Sequence, residues 1–280
     1  MSKGWICLDI DGTITSTIHS VPEKVANYLE HLSRSGWQLV FITGRTYSFA
    51  HGTLQRFSFP YYFSVQNGAD LLYMPGKELI HRCYLPGAVA QKIEALYEEM
   101  EEDFLIYSGY ERGDFCYYRP SRLSPRVKSY LQVIQGLSSE PWKEVEHFSF
   151  PLGEYFPLIK CFGTKEAMFK MYERLSKIEE IQATCIKDPL STEGGYVNLV
   201  TDKLASKGNA LDFLKAKYGA DKPFIAAGDD CNDVSMLRKA DVRIVMETAP
   251  HEVLSLADIV SVSAEREGII DALEKAISQV

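Results

Sequence analysis

Near both of its ends the chain alternates short apolar runs, polar turns and segments with helical spacing, without an internal sequence repeat. The first run, Trp5-Ile6-Cys7-Leu8, stops on Asp9. A run of that length bounded by turn residues reads as a buried strand. Val21-Pro22-Glu23 then opens a helix, with Val25, Tyr28, Leu29 and Leu32 at helical spacing and Gly36 closing it. Gln38-Leu39-Val40-Phe41-Ile42 is a second strand, residues 47–56 a second helix, and Tyr62-Phe63-Ser64-Val65 a third strand. Leu71-Leu72-Tyr73 and Glu78-Leu79-Ile80 flank Pro75-Gly76 and read as a hairpin. Strand–helix–strand repetition predicts right-handed crossovers and a parallel sheet.

The same grammar returns after residue 200. Helices are predicted over 204–217, 234–239, 251–257 and 268–278, with strands at Phe224-Ile225-Ala226-Ala227, Val242-Arg243-Ile244-Val245 and Ile259-Val260-Ser261-Val262. The segment between reads differently. It has helices over 86–102, 125–135 and 165–177, aromatic strands over 104–107 and 115–118, and strands over 158–162 and 181–186. The expectation is an α/β protein: a doubly wound, Rossmann-like parallel-sheet core from residues 1–83 and 191–280, interrupted by an inserted α/β domain at 84–190. The acidic stretch Glu98-Glu99-Met100-Glu101-Glu102-Asp103 is expected to be a solvated helix end.

Composition narrows the function classes. With 280 residues, 46% hydrophobic and 24% charged, the chain is not disordered, collagenous or a coiled coil. A net charge of -8 repels phosphate backbones and argues against a nucleic-acid partner. No run of about 18 apolar residues is present, so no membrane partner is expected. The N-terminus has no signal-peptide pattern, because Asp9 and Asp11 arrive before any apolar h-region. Six scattered cysteines without a CxxC pair fit free thiols in a reducing cytoplasm. Six histidines without an i,i+4 or HxxH pair argue against structural zinc.

Four motifs carry chemistry. Asp9-Ile10-Asp11-Gly12-Thr13 puts two carboxylates at the C-terminal end of a parallel strand, where open α/β sheets bind ligands. Like charges there need a cation, and Mg²⁺ suits oxygen donors. Gly12 lets the backbone approach an anion, although Asp-Gly is also a common turn dipeptide. Thr43-Gly44-Arg45 follows the second strand and offers a hydroxyl and glycine amide at a helix start, an anion site or a simple helix cap. Lys207-Gly208 begins a helix, and the lysine is either a surface charge or a fixed cation. Gly228-Asp229-Asp230-Cys231-Asn232-Asp233 follows an apolar strand and is either an acidic cap or a metal-holding loop. Together they supply the parts of metal-assisted phosphoryl transfer through an aspartyl-phosphate.

On these motifs, with Gln66-Asn67-Gly68-Ala69 and Glu267-Gly268-Ile269, the chain resembles the haloacid dehalogenase superfamily phosphatases, in the Cof-type branch with a large α/β cap. The resemblance spans nearly the whole chain, the cap by position and size. It implies that Asp9 is the nucleophile and Asp11 the general acid and base. It implies a Mg²⁺ held by the Asp9 carboxylate, the Asp11 carbonyl and Asp229, with Asp233 in support. Thr43 and Lys207 then bind phosphoryl oxygens near the Gly12 and Gly44 amides, and Asn232 orients groups around the phosphate or Lys207. The implied substrate is a small phosphorylated metabolite, with sugar phosphates favoured. A phosphohexomutase of the phosphomannomutase kind shares this architecture, and a non-enzymatic regulatory protein could retain the fold. One departure stands out: Met246-Glu247-Thr248-Ala249-Pro250 occupies a turn that is usually Gly-Asn-Ala-like.

Overall fold

A computed structural model describes residues 2–98, 100–136, 140–151, 153–188, 195–219 and 222–280. In chain order, β1 (Gly4–Leu8), α1 (Glu23–Arg34), β2 (Trp37–Ile42), α2 (Tyr47–Leu54) and β3 (Tyr61–Val65) are followed by the hairpin β4 (Asp70–Met74) and β5 (Glu78–Arg82). The insertion holds β6 (Leu85–Pro86), α3 (Ala88–Leu96), β7 (Phe104–Tyr107), β8 (Cys116–Tyr118), α4 (Pro125–Gln135), β9 (Lys143–Glu144), β10 (Tyr155–Phe156), β11 (Leu158–Gly163), α5 (Lys165–Leu175), β12 (Ile181–Lys187) and β13 (Tyr196–Asp202). The chain returns with α6 (Lys207–Tyr218), β14 (Phe224–Gly228), α7 (Val234–Leu237), β15 (Val242–Met246), α8 (His251–Leu254), β16 (Ile259–Ser261) and α9 (Ile269–Ile277).

Contacts divide the chain into two units. The first comprises Met1–Arg45, Ala50–Arg82 and Ser206–Val280. Among its described residues, eight strands form one sheet in the order β16-β15-β14-β1-β2-β3-β4-β5. From β16 to β3 the pairing is parallel, and β4 and β5 add an antiparallel edge. β1 has no solvent-facing side and is apolar throughout, as a central parallel strand must be. Strand order reverses around it, which opens a crevice at the strands' carboxyl ends. Register decides what meets there. Leu8 pairs with Phe41 on one side and Ala227 on the other. The residues just beyond β1, β2 and β14 therefore arrive at one edge, and these are Asp9, Thr43 and Asp229. Beneath them Trp5, Cys7, Val40, Ile42, Leu211, Phe224 and Ala226 pack into one core. Full burial of a large apolar side chain contributes about 1.5–3 kcal/mol.

The second unit comprises Thr46–Phe49 and Cys83–Ala205. Its strands form a sheet in the order β12-β13-β11-β7-β8-β9, with β6 and β10 paired separately. Alternation along β7 sends Phe104 and Ile106 into a core with α3 and α5, and Leu105 and Tyr107 into another with α4. Most of the aromatic residues of β7 and β8 are thus packing residues.

Two sequence expectations change. The return to the core falls at Ser206 rather than 191, because β13 pairs along seven positions with β12 and also with β11. Residue 191 itself lies outside the described residues. The helix expected over 86–102 ends at Leu96, and its acidic end is not all solvated. Glu102 accepts hydrogen bonds from the Ser124 backbone N–H (3.1 Å) and hydroxyl (2.6 Å), and buried Asp103 holds Arg119 by both oxygens at 2.8 and 2.7 Å. Glu99 lies outside the described residues. Among the described residues no helix is long and apolar enough to cross a membrane.

Candidate active site

The loop after β1 carries the first carboxylates. The Asp9 N–H donates to the Ala227 carbonyl at 3.0 Å, which continues the β1–β14 ladder and turns its side chain into the crevice. Gly12 follows with φ +77°, and its N–H donates to the Thr15 carbonyl at 2.8 Å. A Cβ at Gly12 would stand 2.2 Å from Asp229 Oδ2, so glycine is required where the two loops touch. Thr13 donates to Asp229 Oδ1 at 3.5 Å.

Lys207 is the first residue of α6, behind the Ser206 cap whose hydroxyl accepts from the Asn209 N–H. Its ammonium is 99% buried and donates to Asp9 Oδ1 at 2.5 Å and to Asp233 Oδ1 at 2.6 Å. Burial works against that charge, but Asp233 and Asp9 outweigh it and hold the lysine above its ordinary pKa. The second oxygen of Asp233 accepts from the Asp229 and Asp230 N–H groups at 3.0 and 3.1 Å. Asp233 therefore pins both the lysine and the backbone of the acidic loop.

Carboxylate oxygens of Asp9, Asp229 and Asp233 lie within 4.8 Å of one another. Burial pushes the Asp9 carboxyl up to about 8, with Lys207 opposing the rise and Asp233 and Asp11 adding to it. Burial and the charges of Asp9, Asp233 and Asp230 push Asp229 well above its ordinary value. Two acids that resist ionisation beside a third are relieved by a cation, and an all-oxygen donor set suits a hard divalent ion. The residues present fit such a metal.

The other expected residues are tied to neighbouring turns by hydrogen bonds. Asp11 is gripped by Arg45, whose Nε donates to Oδ2 at 2.7 Å and whose Nη2 donates to Oδ1. Thr43 is buried, and its hydroxyl accepts from the Arg45 N–H at 3.1 Å. Gly44 sits between them on the same turn. The Asn232 amide donates to Asn67 Oδ1 at 3.1 Å, which joins the acidic loop to the Gln66-Asn67-Gly68 turn. That turn carries positive φ at all three residues, and a Cβ at Gly68 would stand 2.3 Å from the Ser206 carbonyl. It also holds the threonine motif, since the Asn67 N–H donates to the Thr43 carbonyl at 2.9 Å.

Sequence reasoning did not assign Arg45 a partner, and the motif's ending in arginine was the only signal for one. Glu247, the unusual residue of the turn after β15, accepts from the Ser263 N–H at 3.0 Å and pairs with Arg266. It is thus satisfied outside the carboxylate trio. All six cysteines are free thiols.

A parallel sheet with acids, a buried lysine and a threonine at one carboxyl edge defines the haloacid dehalogenase fold class. Residues 6–273 match the profile of the haloacid dehalogenase-like hydrolases, and the chain belongs to that family. Its relatives make it a phosphatase-class enzyme. The 5-amino-6-(5-phospho-D-ribitylamino)uracil phosphatase YbjI of Escherichia coli is 32% identical over 282 residues, covering 99% of this chain and 97% of that one. Phosphatase YwpJ of Bacillus subtilis is 26% identical over 283 residues, covering 94% and 96%. A haloacid dehalogenase-like hydrolase from B. subtilis superposes with a TM-score of 0.77 at 21% identity, over 97% of this chain and 99% of the other. The subclass IIB sugar phosphatase BT4131 also gives 0.77, at 22% identity, over 97% and 98%.

Proposed function

We propose that the chain is a Mg²⁺-dependent phosphatase that hydrolyses the phosphomonoester of a small metabolite, a sugar phosphate or a related polyol phosphate, through an aspartyl-phosphate. The observation that carries this is Lys207 clamped between Asp9 and Asp233, with Asp229 beside them. One acid is then held beside a fixed cation and a metal-ready pair, as a nucleophile toward a phosphoryl group must be.

The residues take these roles. Asp9 attacks phosphorus and carries the phosphoryl group. Asp11 gives a proton to the departing oxygen and then takes one from water. Lys207 and the Thr43 hydroxyl bind phosphoryl oxygens, helped by the Gly12 and Gly44 amides. Asp233 fixes Lys207 and the acidic loop, and Asn232 braces that loop on Asn67. Asp9, Asp229 and the Asp11 carbonyl would hold Mg²⁺, with Asp233 behind them. The metal, when bound, neutralises charge on the phosphoryl oxygens and offsets the repulsion between Asp9 and the incoming phosphate.

The substrate class is supported by a relative named for a phosphoribityl compound and by a structural neighbour described as a sugar phosphatase. Free cysteines throughout support a reducing, cytoplasmic setting. The test is phosphate release from a panel of sugar, polyol and nucleotide monophosphates with and without Mg²⁺. Turnover of sugar-like monoesters that stops in EDTA supports the reading. Absence of turnover across the panel, or turnover indifferent to divalent ions, refutes it.

A further inference from the structure

Arg45 holds together two parts of the site that lie 32 residues apart in the numbering, Asp11 and Thr43. Its side chain is only 6% exposed. Both Asp11 oxygens are taken by its planar fork, Oδ2 by Nε at 2.7 Å and Oδ1 by Nη2. The fork is itself fixed from behind. Nη1 donates to Thr53 Oγ1 at 2.9 Å and to the Ile18 carbonyl at 3.3 Å, and the Thr53 hydroxyl donates to that same carbonyl at 2.8 Å. The backbone of Arg45 is anchored too. Its N–H donates to Thr43 Oγ1 at 3.1 Å, and its carbonyl accepts from the Gln66 N–H at 2.8 Å.

A guanidinium bound through two parallel donors fixes a carboxylate in plane and in direction. Asp11 needs this, because its own side chain is 29% exposed and stands immediately before Gly12, whose φ is +77°. Each Asp11 oxygen keeps one further lone pair, which lies on the side away from the fork. The geometry points to Arg45 as the positioning residue for proton transfer by Asp11, an assignment that rests on the phosphatase reading above.

In the first half-reaction the Asp9–phosphorus bond forms as the phosphorus–ester oxygen bond breaks, and the Asp11 proton passes to the departing oxygen. In the second, water oxygen bonds to phosphorus as the Asp9–phosphorus bond breaks, and the water's proton passes to Asp11. A purely structural arginine would affect every substrate alike. An arginine that aims the proton matters most where the departing oxygen needs one.

The test is kcat/KM, which reports steps only up to departure of the alcohol, for p-nitrophenyl phosphate and for alkyl and sugar monoesters in wild type, Arg45→Gln and Arg45→Lys. General acid catalysis is worth about 10²–10⁴-fold, so the loss on alkyl esters should exceed the loss on p-nitrophenyl phosphate by about 10²-fold. Lysine keeps the charge without the fork and should show the same selectivity. Thr53→Val removes one prop of the fork by an isosteric change and should give a smaller loss of the same pattern, even if the arginine variants fold poorly. Equal losses across leaving groups, or alkyl esters unaffected, overturn the assignment while leaving the phosphatase reading intact. A wild-type protein that turns over none of the esters overturns both.

Discussion

Lys207 and Asp9 stand 198 residues apart in the chain, yet the ammonium of one lies 2.5 Å from a carboxylate oxygen of the other. The bridge is sealed from solvent and shared with Asp233 at 2.6 Å. Removing one partner of such a group leaves uncompensated buried charge and costs about 3–5 kcal/mol. Lys207→Ala should therefore lose stability as well as turnover. Denaturant unfolding measures the first and phosphate release the second, and an unchanged unfolding midpoint would show that the pair is not the buried clamp described here.

Asp9 and Asp11 are separated by one residue and should fail differently. In Asp9→Asn no phosphoenzyme can form, because a neutral amide replaces the carboxylate nucleophile. In Asp11→Asn attack remains possible and proton transfer is lost, a defect of about 10²–10⁴-fold on poor leaving groups. Mass spectrometry of quenched enzyme reads both. A phosphorylated peptide from the Asp9→Asn protein would reassign the nucleophile.

The cluster of Asp9, Asp229 and Asp233 predicts a pH signature in the metal-free protein. Asp9 is raised to about 8 from an ordinary aspartate value. For an acid raised on folding, the folded state binds the proton more tightly than the unfolded one, so stability is greatest at low pH within this window. It declines as pH rises from about 4 through about 8. A cation replaces that proton, so Mg²⁺ should raise the melting temperature more at pH 8 than at pH 6. At a hundred times its dissociation constant a ligand adds about 2.7 kcal/mol. Thermal melts across pH with EDTA or Mg²⁺ test this. An Mg²⁺ shift that is larger at pH 6, or that persists in Asp229→Ala, would remove these acids as its source.

Gly12→Ala should damage the site through geometry alone. The added methyl meets Asp229 Oδ2 at 2.2 Å, and the φ of +77° is strained for any residue with a Cβ. Strain of the backbone alone is of order 1–3 kcal/mol. Asp229 must also move, so Mg²⁺ affinity by calorimetry should fall together with the melting temperature. Unaltered Mg²⁺ binding in this variant would mean that Asp229 is not a ligand.

Much of this was legible in the sequence, for identifiable reasons. Buried parallel strands advertise themselves as short apolar runs, so β1, β2, β3, β14 and β15 and the polar residues behind them could be read directly. Asp9, Thr43 and Asp229 reach one sheet edge because Leu8 pairs in register with both Phe41 and Ala227. What could not be read depends on partners distant in sequence. The sheet to which β13 belongs is set only by its pairing with β11 and β12, which no local pattern announces. Glu102 and Asp103 looked solvated because Ser124 and Arg119, which bury them, lie about twenty residues away. The grip of Arg45 on Asp11 is of the same kind.

The central position of β1 has a consequence for how the chain is made. Its two neighbours, β2 and β14, are separated by the whole insertion, so a ribosome delivers one flank early and the other only near the end of synthesis. Until Phe224 to Gly228 emerge, the apolar and buried strand β1 presents an unsatisfied row of N–H and C=O groups, the kind of template on which chains stick together. The second unit, with its own sheet and cores, is complete by then and can fold while that edge waits. Premature termination anywhere between Ala205 and Phe224 should thus yield insoluble product that still contains a folded middle, recoverable as a protease-resistant fragment.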